Sequence, residues 1–251
     1  MTTVSRKPTM YHGAIPAALC AATALLGIIS LHIETGSLNP ADILDLATTT
    51  GTQSLLLTHG WIPRFLISLV AGAGLATAGA LFQHTLKNPL ASPSTLGLAG
   101  GAKLFLTLAT LYAPSALFIG HDVIALLGAL MVGVLVFALA RRSGFSPLVV
   151  ILTGMIVALY CGAVTTALAI IHHEWLKSLF IWGSGDLTQD GWYILGPLSL
   201  KVAVGLIVAV ALARPLEMLN LSDHQATALG TSPARLRMLC LLIGCWLSAT
   251  I

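Results

Sequence analysis

Residues 63–102 read PRFLISLVAGAGLATAGALFQHTLKNPLASPSTLGLAGGA, and they begin with a long uncharged segment. The 22 residues between Arg64 and Lys87 carry no formal charge and exceed the roughly 20 that a helix needs to cross a hydrocarbon core. Small residues recur at every fourth position, a spacing that lets helices approach closely within lipid. The segment therefore predicts a close-packed membrane helix, whose contact positions include Gly72, Gly74 and Gly79.

Two proline breaks follow this helix, at Asn88-Pro89 and at Ser92-Pro93. Proline lacks the N–H that a helix needs, and it disfavours helical backbone in the residue before it. We therefore expect the helix to run into a structured, proline-interrupted re-entry before a Gly-rich helix start near Gly97.

The composition of the whole chain is typical of a membrane protein. Hydrophobic residues make up 57% of it, charged residues only 8%, and the mean hydropathy is +0.93, which excludes an ordinary soluble domain. Because the apolar residues form long runs, we expect an all-α, polytopic helical membrane protein with six complete transmembrane helices and the start of a seventh. The runs cover 14–33, 65–86, 104–119, 123–140, 147–171 and 193–213, and the incomplete one begins at 238.

The basic residues predict which ends of these spans face the cytoplasm, where Lys and Arg concentrate. With a cytoplasmic N-terminus, eight of the twelve basic residues fall on the cytoplasmic side, whereas the opposite orientation would place those eight outside. We therefore expect the N-terminus to be cytoplasmic. The eight residues are Arg6, Lys7, Lys87, Arg141, Arg142, Arg214, Arg235 and Arg237.

The remaining charges argue against an ion-driven carrier and against an enzyme. A proton- or sodium-coupled carrier usually needs ionisable groups within the membrane, but all nine acidic residues lie in connections or at span edges. The nearest approach to a phosphate loop, at 97–104, has Ala102 before Lys103 and Leu104 after it, and so fails the motif twice. We therefore expect no catalytic residue and no nucleotide site in this chain, and we expect energy to come from a partner.

The nearest approach to a metal site is His172-His173-Glu174. Adjacent residues on a helix point about 100° apart, so they chelate a metal less well than an i, i+4 pair. We interpret these residues as part of a solvated loop, and we predict no metal ligand and no bound cofactor.

A polar segment late in the chain, 214–237, reads RPLEMLNLSDHQATALGTSPARLR. Asp223 follows Ser222, a typical N-cap, and together they predict a short helix over 224–229 that Gly230 ends. Pro233 is suited to begin a second short helix. Two short polar helices joined by a glycine would form a rigid projection at the membrane face.

Two motifs resemble the permease subunit of iron-siderophore and vitamin B12 ABC importers, the type II import family. The polar segment 214–237 contains the second motif. The sequence of the predicted external segment, 172–192, is most similar to the N-terminal half of ferrichrome-type hydroxamate permeases. In the first motif, Ser92 stands where the family usually has an acidic residue. The matching residues of that motif are Pro63-Arg64, Gly72, Gly79, Gln83, Lys87, Asn88-Pro89-Leu90-Ala91, Pro93, Leu96-Gly97 and Gly101-Ala102.

The resemblance implies a docking role for Arg64 and the position of a cytoplasmic gate. External arginines of this family receive carboxylates of a soluble binding protein, although an arginine that opens a span can also anchor to lipid headgroups. The implied cytoplasmic gate comprises Asn88, Leu90, Ser146 and Pro147, and Gly154 and Gly162 are predicted to pack the helix beside the pathway.

The second motif corresponds to the coupling element of the family, which sits in a groove of the ATPase subunit. Its residues here are Leu219, Leu221, Asp223, Ala226, Leu229 and Gly230.

The family has ten spans in each permease domain, so residues 1–251 are interpreted as a single transmembrane permease domain that is truncated at its C-terminal end. The resemblance implies import of a ferric hydroxamate siderophore across a bacterial inner membrane, with ATP bound by a partner. The implied partners are a cytoplasmic ATPase dimer, a periplasmic siderophore-binding protein, a second permease domain and membrane lipid, without nucleic acid. The alternatives are a vitamin B12 or haem permease of the same family, an ion-coupled secondary transporter and a remnant that does not transport.

Overall fold

The computed structural model is helical throughout the residues that it describes, which are 11–35, 52–140, 147–172, 191–218, 223–228, 230 and 232–251. Turns and a 3-10 helix connect the α-helices, and a π-helix precedes the third of them. The α-helices are α1 (Tyr11–Thr35), α2 (Thr52–Leu55), α3 (Ile62–Leu86), α4 (Leu98–Tyr112), α5 (His121–Ala140), α6 (Pro147–Ile171), α7 (Gly191–Met218), α8 (Asp223–Ala228) and α9 (Pro233–Ala249), with the π-helix at Leu56–Trp61 and the 3-10 helix at Pro114–Ile119.

Five helical segments of the described chain are long and apolar enough to cross a membrane. Large apolar side chains on them are exposed, among them Ile156 and Leu159, as expected for helices whose outer faces contact lipid. The predicted all-α, polytopic helical class is therefore confirmed. The five segments are Pro16–Ile33, Leu57–Leu86, His121–Ala140, Leu148–Ile171 and Trp192–Met218.

The third predicted span, 104–119, is wrong in its bounds. Helix α4 begins earlier, at Leu98, and its 15 residues end at Tyr112, which gives a length of about 22 Å against a hydrocarbon core of about 30 Å. Pro114 then opens the 3-10 helix, because proline has no N–H with which to continue an α-helix. The described chain thus contains a short central helix where a complete span was expected.

The last predicted span, from 238, lies within a helix that begins earlier. Helix α9 begins at Pro233 and so includes Arg235 and Arg237 in its first turns. Pro233 therefore opens this long helix, and the second short helix that we expected there does not form. Proline fits the first turn of any helix, so the residue itself does not specify how far the helix continues.

By their internal contacts the residues divide into two compact units, Met1–Phe65 and Leu66–Ile251. In the first unit, the rings of Trp61 and Phe65 stack with centroids 5.1 Å apart and an interplanar angle of 7°. Trp61 also donates from Nε1 to Oγ of Ser30 on α1 at 3.4 Å. A Cβ on Gly27 would lie 2.8 Å from the ring of Phe65, so α1 passes close to this aromatic pair.

In the second unit, the short helix α4 packs against both α5 and α6, and α9 packs against α5 and α7. Fully buried side chains such as Phe82 of α3, Val136 of α5 and Leu247 of α9 fill the core of this unit. A separate cluster brings together Leu81 near the end of α3, Leu216 near the end of α7 and Leu236 near the start of α9. The Leu86 end of α3, the Met218 end of α7 and the Pro233 end of α9 therefore lie at the same end of the bundle.

Candidate functional site

Helix α3 ends at this common end in a Schellman motif, with Lys87 in the left-handed conformation at φ 49°. Lys87 N–H donates to the carbonyl of His84 at 3.4 Å, and Asn88 N–H donates to the carbonyl of Gln83 at 3.0 Å. Pro89 follows at once and prevents the helix from resuming. The predicted break at Asn88-Pro89 is therefore a helix cap with defined hydrogen bonds.

The residues after this cap form a β-turn with Leu90 at its tip. Ala91 N–H donates to the carbonyl of Asn88 at 3.2 Å, and Leu90 N–H donates to Oδ1 of Asn88 at 2.9 Å. Pro89 suits the second position of such a turn because its φ is fixed. The side chain of Leu90 is 66% exposed, so a large apolar group is held outward by an ordered backbone.

Ser92 and Thr95 hydrogen-bond to each other in both directions. Ser92 N–H donates to Oγ1 of Thr95 at 2.8 Å, and Thr95 N–H donates to Oγ of Ser92 at 3.1 Å. The hydroxyl of Thr95 lies 3.0 Å from the carbonyl oxygen of Leu90 and 3.1 Å from that of Ser92, and can donate to either. This reciprocal arrangement has the hydrogen-bond pattern of a capping box, here around the turn at 93–97 that precedes α4, whose own N-cap is Gly97.

The segment Lys87–Gly97, which we call the Leu90 turn, contacts α6 through two glycines. Gly97 has φ +77°, and a Cβ on it would lie 2.8 Å from the carbonyl oxygen of Gly154. A Cβ on Gly154 would in turn lie 2.5 Å from the carbonyl oxygen of Thr95 and 2.8 Å from Cα of Leu96. Main-chain atoms therefore meet on both sides of this contact, as is typical of close helix packing in membranes.

A second pair of glycines joins α4 to α5, and only one of the two, Gly101, lies in the sequence motif, where it had no assigned role. A Cβ on Gly101 would lie 2.6 Å from the carbonyl oxygen of Gly128, and a Cβ on Gly128 would lie 2.5 Å from that of Gly101. The doubled glycine at 100–101 was the available signal, but a sequence does not show which helix lies opposite it.

The other predicted packing glycines differ in their surroundings. A Cβ on Gly74 would lie 2.5 Å from the side-chain tip of Ile251, so this position is closely packed. Gly72, Gly79 and Gly162 have no atom of the described chain within 4 Å of a Cβ. Their predicted packing role therefore finds no counterpart among the helices described, and it stays a prediction.

Of the other predicted gate residues, Pro147 begins α6, whereas Ser146 lies outside the described residues. His173 and Glu174, of the sequence that we interpreted as a solvated loop, lie outside them as well. The structure thus places Asn88, Leu90 and the start of α6 in defined elements, without describing the connection that leads into α6.

The predicted coupling segment contains one short helix, α8, at Asp223–Ala228. Ala226 within it is buried, and Gly230 follows with φ +80° and donates its N–H to the carbonyl of Thr227 at 3.0 Å. Gly230 is exposed, with open space where a Cβ would stand. A glycine at this left-handed position ends the helix as predicted. Leu219, Leu221 and Leu229 lie outside the described residues.

Arg64 lies in the first turn of α3, at the end of that helix opposite Lys87. It is half-buried and lies three residues after Trp61, the stacked residue that ends the π-helix. Single π-helical turns often occur at functional sites. Arg64 lies within the apolar segment Leu57–Leu86, close to its start, a position compatible with an interfacial anchor and with a docking residue.

One ion pair of the described chain was not foreseen. Lys201, within α7, donates from Nζ to the carboxylate of Asp122 in the first turn of α5. The two side chains are 35% and 43% exposed. The residues are 79 apart in sequence, so no local pattern could connect them.

Comparison with known proteins gives a family and several relatives. Residues 22–251 match the FecCD transport family. The chain is 41% identical over 200 residues to the iron(3+)-hydroxamate import system permease protein FhuB of Salmonella typhimurium, a match covering 79% of this chain and 29% of that protein. It is 31% identical over 183 residues to the cobalamin import system permease protein BtuC of Halobacterium salinarum, covering 72% of this chain and 49% of BtuC.

A solved structure of a metal-chelate type ABC transporter in an inward-facing conformation is similar with a TM-score of 0.69 at 27% identity. That similarity covers 93% of this chain and 74% of the solved one. The chain spans less than a third of the length of FhuB and about half that of BtuC.

Proposed function

Because the chain belongs to the FecCD transport family, we propose that it is the membrane permease of an ATP-driven importer that carries a ferric hydroxamate siderophore. The observation that carries the substrate class is the 41% identity, over 79% of this chain, to an iron(3+)-hydroxamate permease. The chain is a multi-pass membrane protein and a transport subunit, as its family and its apolar helices indicate. We place it in a bacterial inner membrane.

The distribution of charge supports a cytoplasmic N-terminus. Lys87, Arg214 and Arg235 are exposed and lie in elements that meet at the common end of α3, α7 and α9. Positive residues concentrate on the cytoplasmic side of membrane proteins. This end therefore faces the cytoplasm in our proposal, and Arg64, at the other end of α3, faces the periplasm, where it would receive a carboxylate of a binding protein.

Coupling to the ATPase is assigned to α8 and the residues around it, which lie between the cytoplasmic ends of α7 and α9. The buried Ala226 anchors the short helix, and the left-handed Gly230 ends it with an exposed turn. A helix held at its buried side and free at its exposed side can transmit a push from a partner to the start of α9. Leu219, Leu221, Asp223 and Leu229 complete this element by resemblance.

In the Leu90 turn, at the same cytoplasmic end, Asn88 and Leu90 are assigned to the inner gate together with Ser146 and Pro147. The exposed side chain of Leu90 suits closure against another apolar surface, because burying a leucine side chain releases about 1.5–3 kcal/mol. A second permease domain would supply that surface. An ATPase dimer and a periplasmic binding protein complete the importer, and the nucleotide binds to the ATPase.

The test measures uptake of iron-loaded ferrichrome by cells whose importer contains this chain, comparing wild type with Gly230→Arg. A side chain at φ +80° is strained, and a bulky cation there projects from the proposed ATPase-facing surface. We expect uptake to be lost at normal membrane abundance. Gly120→Arg is the matched control, because Gly120 also has positive φ (+116°) but lies at the opposite end of the bundle, before α5.

Each outcome has a separate meaning. Unchanged uptake in Gly230→Arg would remove the coupling assignment. Wild-type cells that import cobalamin or haemin but no ferrichrome would change the substrate while keeping the family. Uptake that continues when ATP hydrolysis is blocked, but stops when the ion gradient collapses, would instead indicate a secondary transporter.

A further inference from the structure

The backbone of Leu90 is held from both sides by two different side chains. Its N–H donates to Oδ1 of Asn88 at 2.9 Å, and its carbonyl lies 3.0 Å from the hydroxyl of Thr95. An exposed leucine in an ordinary loop has no such double restraint, because loops at the surface are usually mobile. The peptide of Leu90 is thus fixed although its side chain is 66% exposed.

Thr95 can hold Leu90 only while Thr95 itself is oriented, and Ser92 provides that orientation. Oγ1 of Thr95 accepts from the amide of Ser92 and, at 3.1 Å, from the hydroxyl of Ser92, so both of its lone pairs are engaged and its proton points towards the carbonyls of Leu90 and Ser92. Oγ of Ser92 in turn accepts the amide of Thr95. Because the carbonyl of Thr95 packs against Gly154, this capping box links Leu90 to α6.

We propose that Ser92 and Thr95 are positioning residues of the inner gate, which fix the Leu90 tip against α6. This inference rests on the proposed function. It also accounts for the serine where the family usually has an acidic residue: the position needs an acceptor for the amide of Thr95. A serine hydroxyl and a carboxylate both provide one, as they do in helix caps and in turns. A negative charge is not required for this role.

Four substitutions separate the role of the hydroxyl from that of the charge. Ser92→Ala removes the acceptor, whereas Ser92→Asp keeps an acceptor and adds a charge. Thr95→Val removes the hydroxyl that reaches Leu90 while retaining the branched shape, and Thr95→Ser keeps the hydroxyl. Ser94→Ala is the matched control, because Ser94 lies in the same turn, is exposed, and contributes its carbonyl to the amide of Gly97, which alanine preserves.

The first readout is the exposure of the tip itself, in the complete importer. Leu90→Cys is combined with Cys20→Ser, since Cys20 is the exposed native cysteine of the described chain, and is labelled with a membrane-impermeant maleimide from the cytoplasmic side of inverted vesicles. We expect Ser92→Ala and Thr95→Val to raise the labelling rate about tenfold, the effect of losing one or two hydrogen bonds. Ser92→Asp, Thr95→Ser and Ser94→Ala should leave the rate unchanged.

The second readout is the amount of ferrichrome iron imported per ATP hydrolysed by the complete importer in proteoliposomes. A loosened gate should lower this ratio in Ser92→Ala and Thr95→Val, while ATP hydrolysis continues. A purely structural defect would lower the amount of assembled importer and leave the ratio of the remaining molecules unchanged. Equal ratios of iron imported to ATP hydrolysed in all variants would overturn the inference. So would a ratio in Ser92→Asp as low as that in Ser92→Ala.

The experiment also distinguishes this inference from the proposed function. If wild type imports no ferrichrome, the proposed function fails, whatever the labelling shows. If wild type imports it and Ser92→Ala matches Ser94→Ala in both readouts, only the positioning role is lost.

Discussion

Lys201 on α7 forms an ion pair with Asp122 in the first turn of α5, although α5 packs mainly against α4, α7 packs mainly against α9, and α5 and α7 hardly contact each other. A lysine side chain on a helix extends back towards the helix N-terminus, and this direction leads Lys201 to the end of the bundle where α5 begins. The pair therefore neutralises a cation that lies within a membrane-spanning segment, and it connects α5 and α7 beside α9.

Removing the charge of Asp122 should destabilise the protein more than removing the charge of Lys201. Asp122→Asn leaves Lys201 without its carboxylate in an apolar helix, where an unpaired charge is costly. Lys201→Met leaves Asp122 at a helix N-terminus, where the helix dipole favours a negative charge. In thermal unfolding of the detergent-solubilised protein, we expect Asp122→Asn to lower the midpoint more than Lys201→Met does.

The double variant Asp122→Asn/Lys201→Met supplies the control. It should recover most of the stability lost in Asp122→Asn, because no unpaired cation remains. Losses that simply add in the double variant would show that the two residues do not act as a pair.

The close approach of the Leu90 turn to α6 predicts a large effect of one methyl group. In Gly154→Ala the new Cβ would meet main-chain atoms of Thr95 and Leu96 at 2.5–2.8 Å, and main chain cannot rotate away. We expect a destabilisation of about 1–3 kcal/mol, the usual range for overpacking, in detergent unfolding.

Gly162→Ala is the matched control on the same helix. No atom of the described chain lies within 4 Å of its Cβ, and alanine is favoured over glycine within a helix by about 0.5–1 kcal/mol. It should therefore be neutral or stabilising. If Gly154→Ala behaved like Gly162→Ala, the contact between the turn and α6 would be looser than described.

The left-handed backbone of Lys87 predicts a smaller change in stability on substitution. A residue other than glycine in the left-handed conformation costs about 1–2 kcal/mol, so Lys87→Gly should be more stable than Lys87→Ala by about 1 kcal/mol. Both variants lose the same charge at the helix C-terminus, and the comparison therefore isolates the backbone. Equal unfolding midpoints for the two variants would contradict the Schellman assignment.

Local signals in the sequence predicted the local parts of the structure. Proline at 89 and glycine at 230 act on their own backbone, so the break after α3 and the end of α8 were predictable from neighbouring residues alone. The extent of α4 was not, because the apolar residues after Pro114 have the same hydropathy whether they form a span or an exposed 3-10 turn.

Contacts between helices could not be predicted in the same way. Gly154 and Gly162 belong to the same fourfold pattern of small residues on α6, yet of the two only Gly154 faces a neighbour in the described chain. Which of them meets another element depends on how α6 is rotated about its axis. The capping box at Ser92 and Thr95 is a recognisable four-residue pattern, but its link to the carbonyl of Leu90 depends on the fold of the preceding turn.

The contact between Gly97 and Gly154 has a mechanical consequence. Side chains between two elements act as a cushion, because rotamer changes absorb small displacements before either backbone moves. Where main chain touches main chain, that cushion is absent, and a shift of α6 by a fraction of an ångström must carry the turn with it. Leu90 then moves as a rigid extension of α6, so a rocking movement of that helix displaces Leu90 by the same amount.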